Sequence, residues 1–115
     1  MSVENRKHRR VPVELAAEVS IRGETVVASA QNVSVGGVGL LVDREVSEGA
    51  EIAVTLFLTQ DGIEDPDEQP FEAKAIVQWA AVQDAGTWIT GVKFATVSAT
   101  QKALLERFLT KVEPG

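Results

Sequence analysis

Two clusters in this 115-residue sequence carry side chains suited to holding an anion and a planar ring. They are Arg6-Lys7-His8-Arg9-Arg10 and, after the first hairpin, Asn32-Val33-Ser34-Val35-Gly36-Gly37. Arginine presents a planar fork of donors that pairs bidentately with phosphate oxygens or with the O6 and N7 edge of guanine, and its flat face stacks on a base. In an extended segment, a spacing of four puts Arg6 and Arg10 on one side roughly 13 Å apart, enough to grip opposite ends of a compact ligand. Lys7 and Arg9 then point away, or towards a second ligand molecule. In the other cluster, Asn32 has a carbonyl oxygen able to accept from the N1 and N2 donors of guanine, and Ser34 has a hydroxyl that donates or accepts. Gly36 and Gly37 permit positive φ and carry no Cβ, so backbone amides there can face a phosphate or a base. Taken together, the clusters read as two halves of a site for a phosphate-bearing purine. Taken singly, the first also reads as a solvated tail and the second as an ordinary Asn-Ser-Gly turn between strands.

Charge separates these readings. The chain has 11 Lys and Arg against 17 Asp and Glu, a net charge of -6. Four of the basic residues lie within Arg6–Arg10, leaving seven basic against 17 acidic residues elsewhere, a balance of -10. A locally basic spot on an acidic protein suits a small anion held at one place. It does not suit DNA or RNA, whose binding relies on many distributed phosphate contacts. The absence of cysteine excludes a disulfide framework and thiolate metal sites. His8, the one histidine, cannot form a metal site alone. The apolar runs are short and interrupted, so no membrane insertion is expected and the expected location is cytoplasmic.

The remaining sequence must position the two clusters. Val13, Leu15, Ala17, Val19 and Ile21 alternate with more polar residues, the period of a strand with one buried face. Arg22-Gly23-Glu24 makes a turn, Thr25–Ala30 returns as a second strand leading to Asn32, and Val38–Val42 follows as a third. After a turn at Ser47-Glu48-Gly49, Ile52, Val54, Leu56 and Leu58 alternate again. Phe71, Ala73, Ala75, Val77 and Trp79 give a fifth strand, and Trp88–Phe94 a sixth. Asp61–Pro70, with five acids, one glycine and two prolines, reads as a solvated loop. Ser98 and Gln101 have capping-box spacing, and Leu104, Leu105, Phe108, Leu109 and Val112 form one apolar helical stripe. That stripe covers the sheet or forms a dimer interface, so monomer and homodimer both remain open.

Six short strands and a closing helix predict an all-β fold with a C-terminal helix, a small antiparallel barrel or closed sandwich. The expected organisation is one domain over 1–115: a flexible basic arm at 1–11, the β-barrel at 12–95 and the helix at 98–112. Trp79, ending an alternating strand, reads as packing at the barrel mouth. Trp88 reads as structural.

The order of the motifs, Arg-x-x-x-Arg at Arg6 and Arg10 and then Asn-x-Ser-x-x-Gly at Asn32, Ser34 and Gly37, resembles the PilZ domain family. The resemblance extends through Val77-Gln78-Trp79, Gly91-Val92-Lys93-Phe94 and the closing helix. It implies a six-stranded antiparallel PilZ-type β-barrel and a bacterial receptor for the second messenger cyclic di-GMP. Arg6 and Arg10 would bind guanine edges and phosphates, Asn32 and Ser34 would hold a guanine, and Gly37 would keep the turn open. Trp79 would lie near the nucleotide, as it does in some relatives. No other cofactor is implied. The expected action is ordering of the N-terminal arm by cyclic di-GMP, read by an effector protein whose identity the sequence does not reveal. The competing class is a PilZ-like adaptor that binds only protein. An enzyme is disfavoured, because the chain has no Gly-x-Ser-x-Gly elbow, His-Glu-x-x-His or Walker loop.

Overall fold

The computed structural model describes residues 11–58 and 70–112; the basic cluster with Arg6, His8 and Arg10, and residues 61–69 of the acidic segment, lie outside the described residues. The elements run β1 (Val11–Ile21), β2 (Glu24–Val33), β3 (Gly37–Val42), β4 (Glu51–Leu56), β5 (Phe71–Asp84), β6 (Thr87–Thr96) and α1 (Ala99–Val112). All six strand pairings are antiparallel, and they close in the order β1-β2-β3-β6-β5-β4. Closure gives each of the six strands a paired neighbour on both sides over part of its length.

The alternation read from the sequence is the burial pattern of the strands. Ala17 and Val19 of β1, Ile52, Val54 and Leu56 of β4, and Phe71, Ala75 and Val77 of β5 point inward and are buried. Phe71 and Phe94 meet across this interior with ring centroids 5.1 Å apart and planes tilted by 57°, a favoured aromatic arrangement. The first hairpin turns on Arg22 and Gly23, both with positive φ, as a two-residue turn matched to strand twist requires. Glu24 pairs with Ile21 and so begins β2 instead of belonging to the turn.

Two strands run on past a break in their alternation. β2 continues to Val33, so Asn32 lies within a strand, and β5 continues five residues past Trp79 to Asp84. Both extensions follow an interruption of the two-residue period, which makes them invisible to a search for strict alternation.

Helix α1 is capped by Ser98, whose Oγ accepts from the amide of Gln101 at 3.1 Å. The second half of the expected capping box does not form. Gln101 instead accepts the amide of Glu72 at 2.7 Å, which ties the first turn of α1 to the start of β5. Leu104, Leu105, Phe108 and Leu109 join the core cluster, so the apolar stripe packs within the chain; the side chain of Val112 is outside the described residues. Among the described residues, no helix is long and apolar enough to cross a membrane.

Candidate functional site

Asn32 and Trp79 would both point into the barrel if their strands kept strict alternation, since Ala28 and Ala30 precede Asn32 and Ala75 and Val77 precede Trp79 on the buried face. Neither does. On β2, Ala30 pairs with Leu40 and Asn32 with Gly39, so Gln31 is an extra residue; on β5, Val77 pairs with Val92 and Trp79 with Gly91, so Gln78 is extra. Each is a one-residue bulge that turns the next side chain to the outer face, as bulges beside binding sites do. Trp79 is therefore 43% exposed, and its reading as barrel-mouth packing is corrected.

The two re-aimed residues share a row. Pro12 pairs with Asn32, Asn32 with Gly39, Gly39 with Gly91 and Gly91 with Trp79, across β1, β2, β3, β6 and β5. Residues directly opposite one another in antiparallel strands face the same side, so this row lies on the outside of the barrel. Three interstrand spacings separate Asn32 from Trp79, about 14 Å measured along the curved surface of the barrel. The two glycines between them are covered from either end. A Cβ on Gly39 would meet Nδ2 of Asn32 at 2.7 Å, and one on Gly91 would collide with the indole of Trp79.

The loop after Asn32 is tied by its own serine. Ser34 is 4% exposed, and its Oγ accepts the amides of Gly36 at 3.1 Å and Gly37 at 3.2 Å. The Ser34 amide donates to the Gly37 carbonyl at 2.9 Å, and the Phe94 amide donates to the Gly36 carbonyl at 2.9 Å. The serine hydroxyl thus organises the turn and fastens it against β6. Gly37 does not use the positive φ that its type permits. Positive φ among the described residues falls at Arg22, Gly23, Gly49 and Gly86. Gly37 is needed for space, because a Cβ there would run into the carbonyl oxygen of Val92.

Sequence reasoning passed over one charged residue at this face. Lys93 pairs with Gly37 and is exposed, on the same strand face as Gly91 two positions away. It therefore stands between the serine-tied loop and the indole. Its signal was available: Gly91 and Lys93 share parity in a strand whose inward residues are Val92 and Phe94. Of the other described cations, Arg44 is engaged elsewhere, with Glu24 and Asp43 each at 3.2 Å. The hydrogen bond to Asp43, then the charge of Glu24, raise its pKa.

The face thus has an amide at one end, an aromatic plane at the other, bare backbone between them and a cation alongside. Such a surface can hydrogen-bond the edge of a ring, stack its plane and attract an anionic group. The residues brought together are Asn32, Ser34, Gly37 and Trp79; Arg6 and Arg10 are outside the described residues.

The PilZ domain family model matches residues 4–111. The fold is similar to the PilZ domain with c-di-GMP of YcgR from Escherichia coli, with a TM-score of 0.74 at 20% identity over 96% of this chain and 92% of that one. It is also similar to the Bacillus subtilis inhibitor of motility MotI/DgrA, with a TM-score of 0.74 at 16% identity over 95% of this chain and 51% of that one. A third similar structure is MrkH of K. pneumonia, a c-di-GMP-dependent transcription regulatory factor, with a TM-score of 0.73 at 13% identity over 95% of this chain and 51% of that one. The chain spans about half the length of MotI/DgrA and of MrkH. No curated protein matches the sequence.

Proposed function

The chain belongs to the PilZ domain family, and from that premise we propose that it is a receptor for cyclic di-GMP, bound on the outer face that carries Asn32, Gly39, Gly91 and Trp79. The observation that carries this reading is the pairing of Val11 with Val33 and of Pro12 with Asn32. Val11, to which Arg10 is covalently bonded, therefore lies beside the end of β2 that carries Asn32. The YcgR PilZ domain with c-di-GMP and the MrkH–c-di-GMP complex support the same ligand.

Each residue then has a role that follows from its chemistry. Arg6 and Arg10 pair with phosphates and guanine edges, Asn32 accepts from the guanine edge, and the exposed side of Trp79 stacks on a base. Ser34 and Gly37 act one step back by holding the loop against β6. The segment 1–10 holds Arg6, Lys7, Arg9 and Arg10, whose charge bound cyclic di-GMP would neutralise. Ordering the segment over the bound nucleotide changes the surface that an effector protein meets. The domain is thus a non-catalytic relay in the bacterial cytoplasm. Hydrogen exchange at residues 5–11 should slow on saturation with cyclic di-GMP; unchanged exchange removes the arm from the relay.

Calorimetric titration of the chain with cyclic di-GMP, with GTP as control, tests the ligand. Binding is expected for cyclic di-GMP alone, and Arg10→Ala should weaken it by about ten- to a hundredfold, the loss of a charged hydrogen bond. Equal binding of both nucleotides would mean nonspecific anion capture. Binding of neither would make the protein an adaptor that recognises protein only.

A further inference from the structure

Gly91 occupies a central strand, paired on both sides by Gly39 and Trp79, where glycine weakens a sheet and alanine would ordinarily strengthen it. Its φ is not positive, so no backbone requirement calls for glycine there. What calls for it is the indole. The three atoms nearest to a Cβ at this position all belong to Trp79: Nε1, Cε2 and Cζ2, the last at 2.8 Å. They span both rings of the fused system, so the indole lies against the β6 backbone where a side chain would stand. A rigid ring can relieve such a clash only by moving as a whole. At Gly39 the corresponding neighbours are the side-chain amide atoms of Asn32, with Nδ2 at 2.7 Å.

We propose that Gly91 is a positioning residue for ligand binding. Its missing side chain seats one side of the Trp79 indole on β6 and presents the other side as the shelf on which a purine stacks. The bulge at Gln78 sets the direction of Trp79, and Gly91 sets its height. This inference rests on the nucleotide reading of the face.

The test uses the full chain carrying Trp88→Phe, so that Trp79 is the single indole. Gly91→Ala, Trp79→Ala and the double variant are compared by acrylamide quenching and emission without ligand where Trp79 remains, by thermal midpoint, and by cyclic di-GMP titration. With Trp79 present, Gly91→Ala should increase quenching and shift emission to the red, lower the midpoint, and weaken binding about tenfold, within the range of base–aromatic stacking. In the Trp79→Ala background, the same substitution should leave binding unchanged and leave the midpoint equal or higher. Unaltered quenching, or losses in binding that multiply in the double variant, would overturn the inference. If the parent chain binds no cyclic di-GMP while Gly91→Ala still displaces the indole, the nucleotide reading fails and the seating of Trp79 stands. If the parent binds and the indole does not respond, the seating fails alone.

Discussion

At one end of the outer row, the bulge at Gln31 turns Asn32 outward and the chain runs into a loop bound on several sides. At the other end, the bulge at Gln78 turns Trp79 outward and the chain runs on into a hairpin whose Val82 is 70% exposed. The same device thus serves two surroundings. The Asn32 end is held by backbone: the Ser34 hydroxyl takes two amides, Gly36 takes the Phe94 amide, and Gly37 lies against the Val92 carbonyl. The Trp79 end is held by contact of an indole with a glycine. A hydrogen-bonding residue must be aimed within narrow angular limits, which a tied loop supplies. A stacking residue needs a plane at the right height, which packing supplies. The comparison predicts that substitutions at the loop end damage the fold together with binding, and that those at the indole end damage binding first.

Gly37→Ala should have the largest effect. The obstructing atom is backbone oxygen in the middle of β6, so the cost is that of overpacking with little relief, on the order of 3 kcal/mol of stability. Denaturant unfolding measures it, and a change below about 0.5 kcal/mol would mean that the loop is not locked against β6. Ser34→Ala should follow at about 2 kcal/mol, since it leaves two amides in a closely packed turn without their acceptor. Its loss of stability should accompany a loss of affinity, and Ser34→Thr, which keeps the hydroxyl, should restore part of both. If Ser34→Ala weakened binding with stability intact, the hydroxyl would be a ligand contact and the contrast between the two ends would dissolve. Lys93→Ala should be the mildest, weakening cyclic di-GMP binding about threefold through lost charge attraction on an exposed face. Titration at low and high salt checks this, because the difference between parent and variant should shrink as salt screens the charge.

Much of the scaffold was legible because it obeys one period. β1, β4 and the first part of β5 bury every second residue, and the stripe of α1 buries Leu104, Leu105, Phe108 and Leu109. The site was legible as residue types and not as geometry. Asn32, Ser34 and Gly37 could be singled out by chemistry and Trp79 only by the family resemblance, but what turns Asn32 and Trp79 outward is one extra residue in each strand. A bulge at Gln31 or Gln78 has no compositional signature; it is set by the register of the neighbouring strands. The alternation accordingly read Trp79 as packing at the barrel mouth, and the family resemblance alone put it near the nucleotide. Of the two roles read for Gly37, positive φ and a missing Cβ, the fold uses the second, and it clears the Val92 carbonyl and not a ligand, a contact between residues distant in sequence. The half-formed capping box has the same origin, since Gln101 finds Glu72 across the chain in place of the helix start.

The central claim is that the Asn32 loop and the Trp79 shelf hold one cyclic di-GMP site between them. Backbone amide NMR of the chain titrated with cyclic di-GMP tests it most directly. The account predicts that shifts move at residues 10, 11, 32–39, 79 and 91–93 with a single midpoint, while those of α1 stay in place. Perturbation confined to one end of the row, separate midpoints at the two ends, or changes centred on α1 would contradict it.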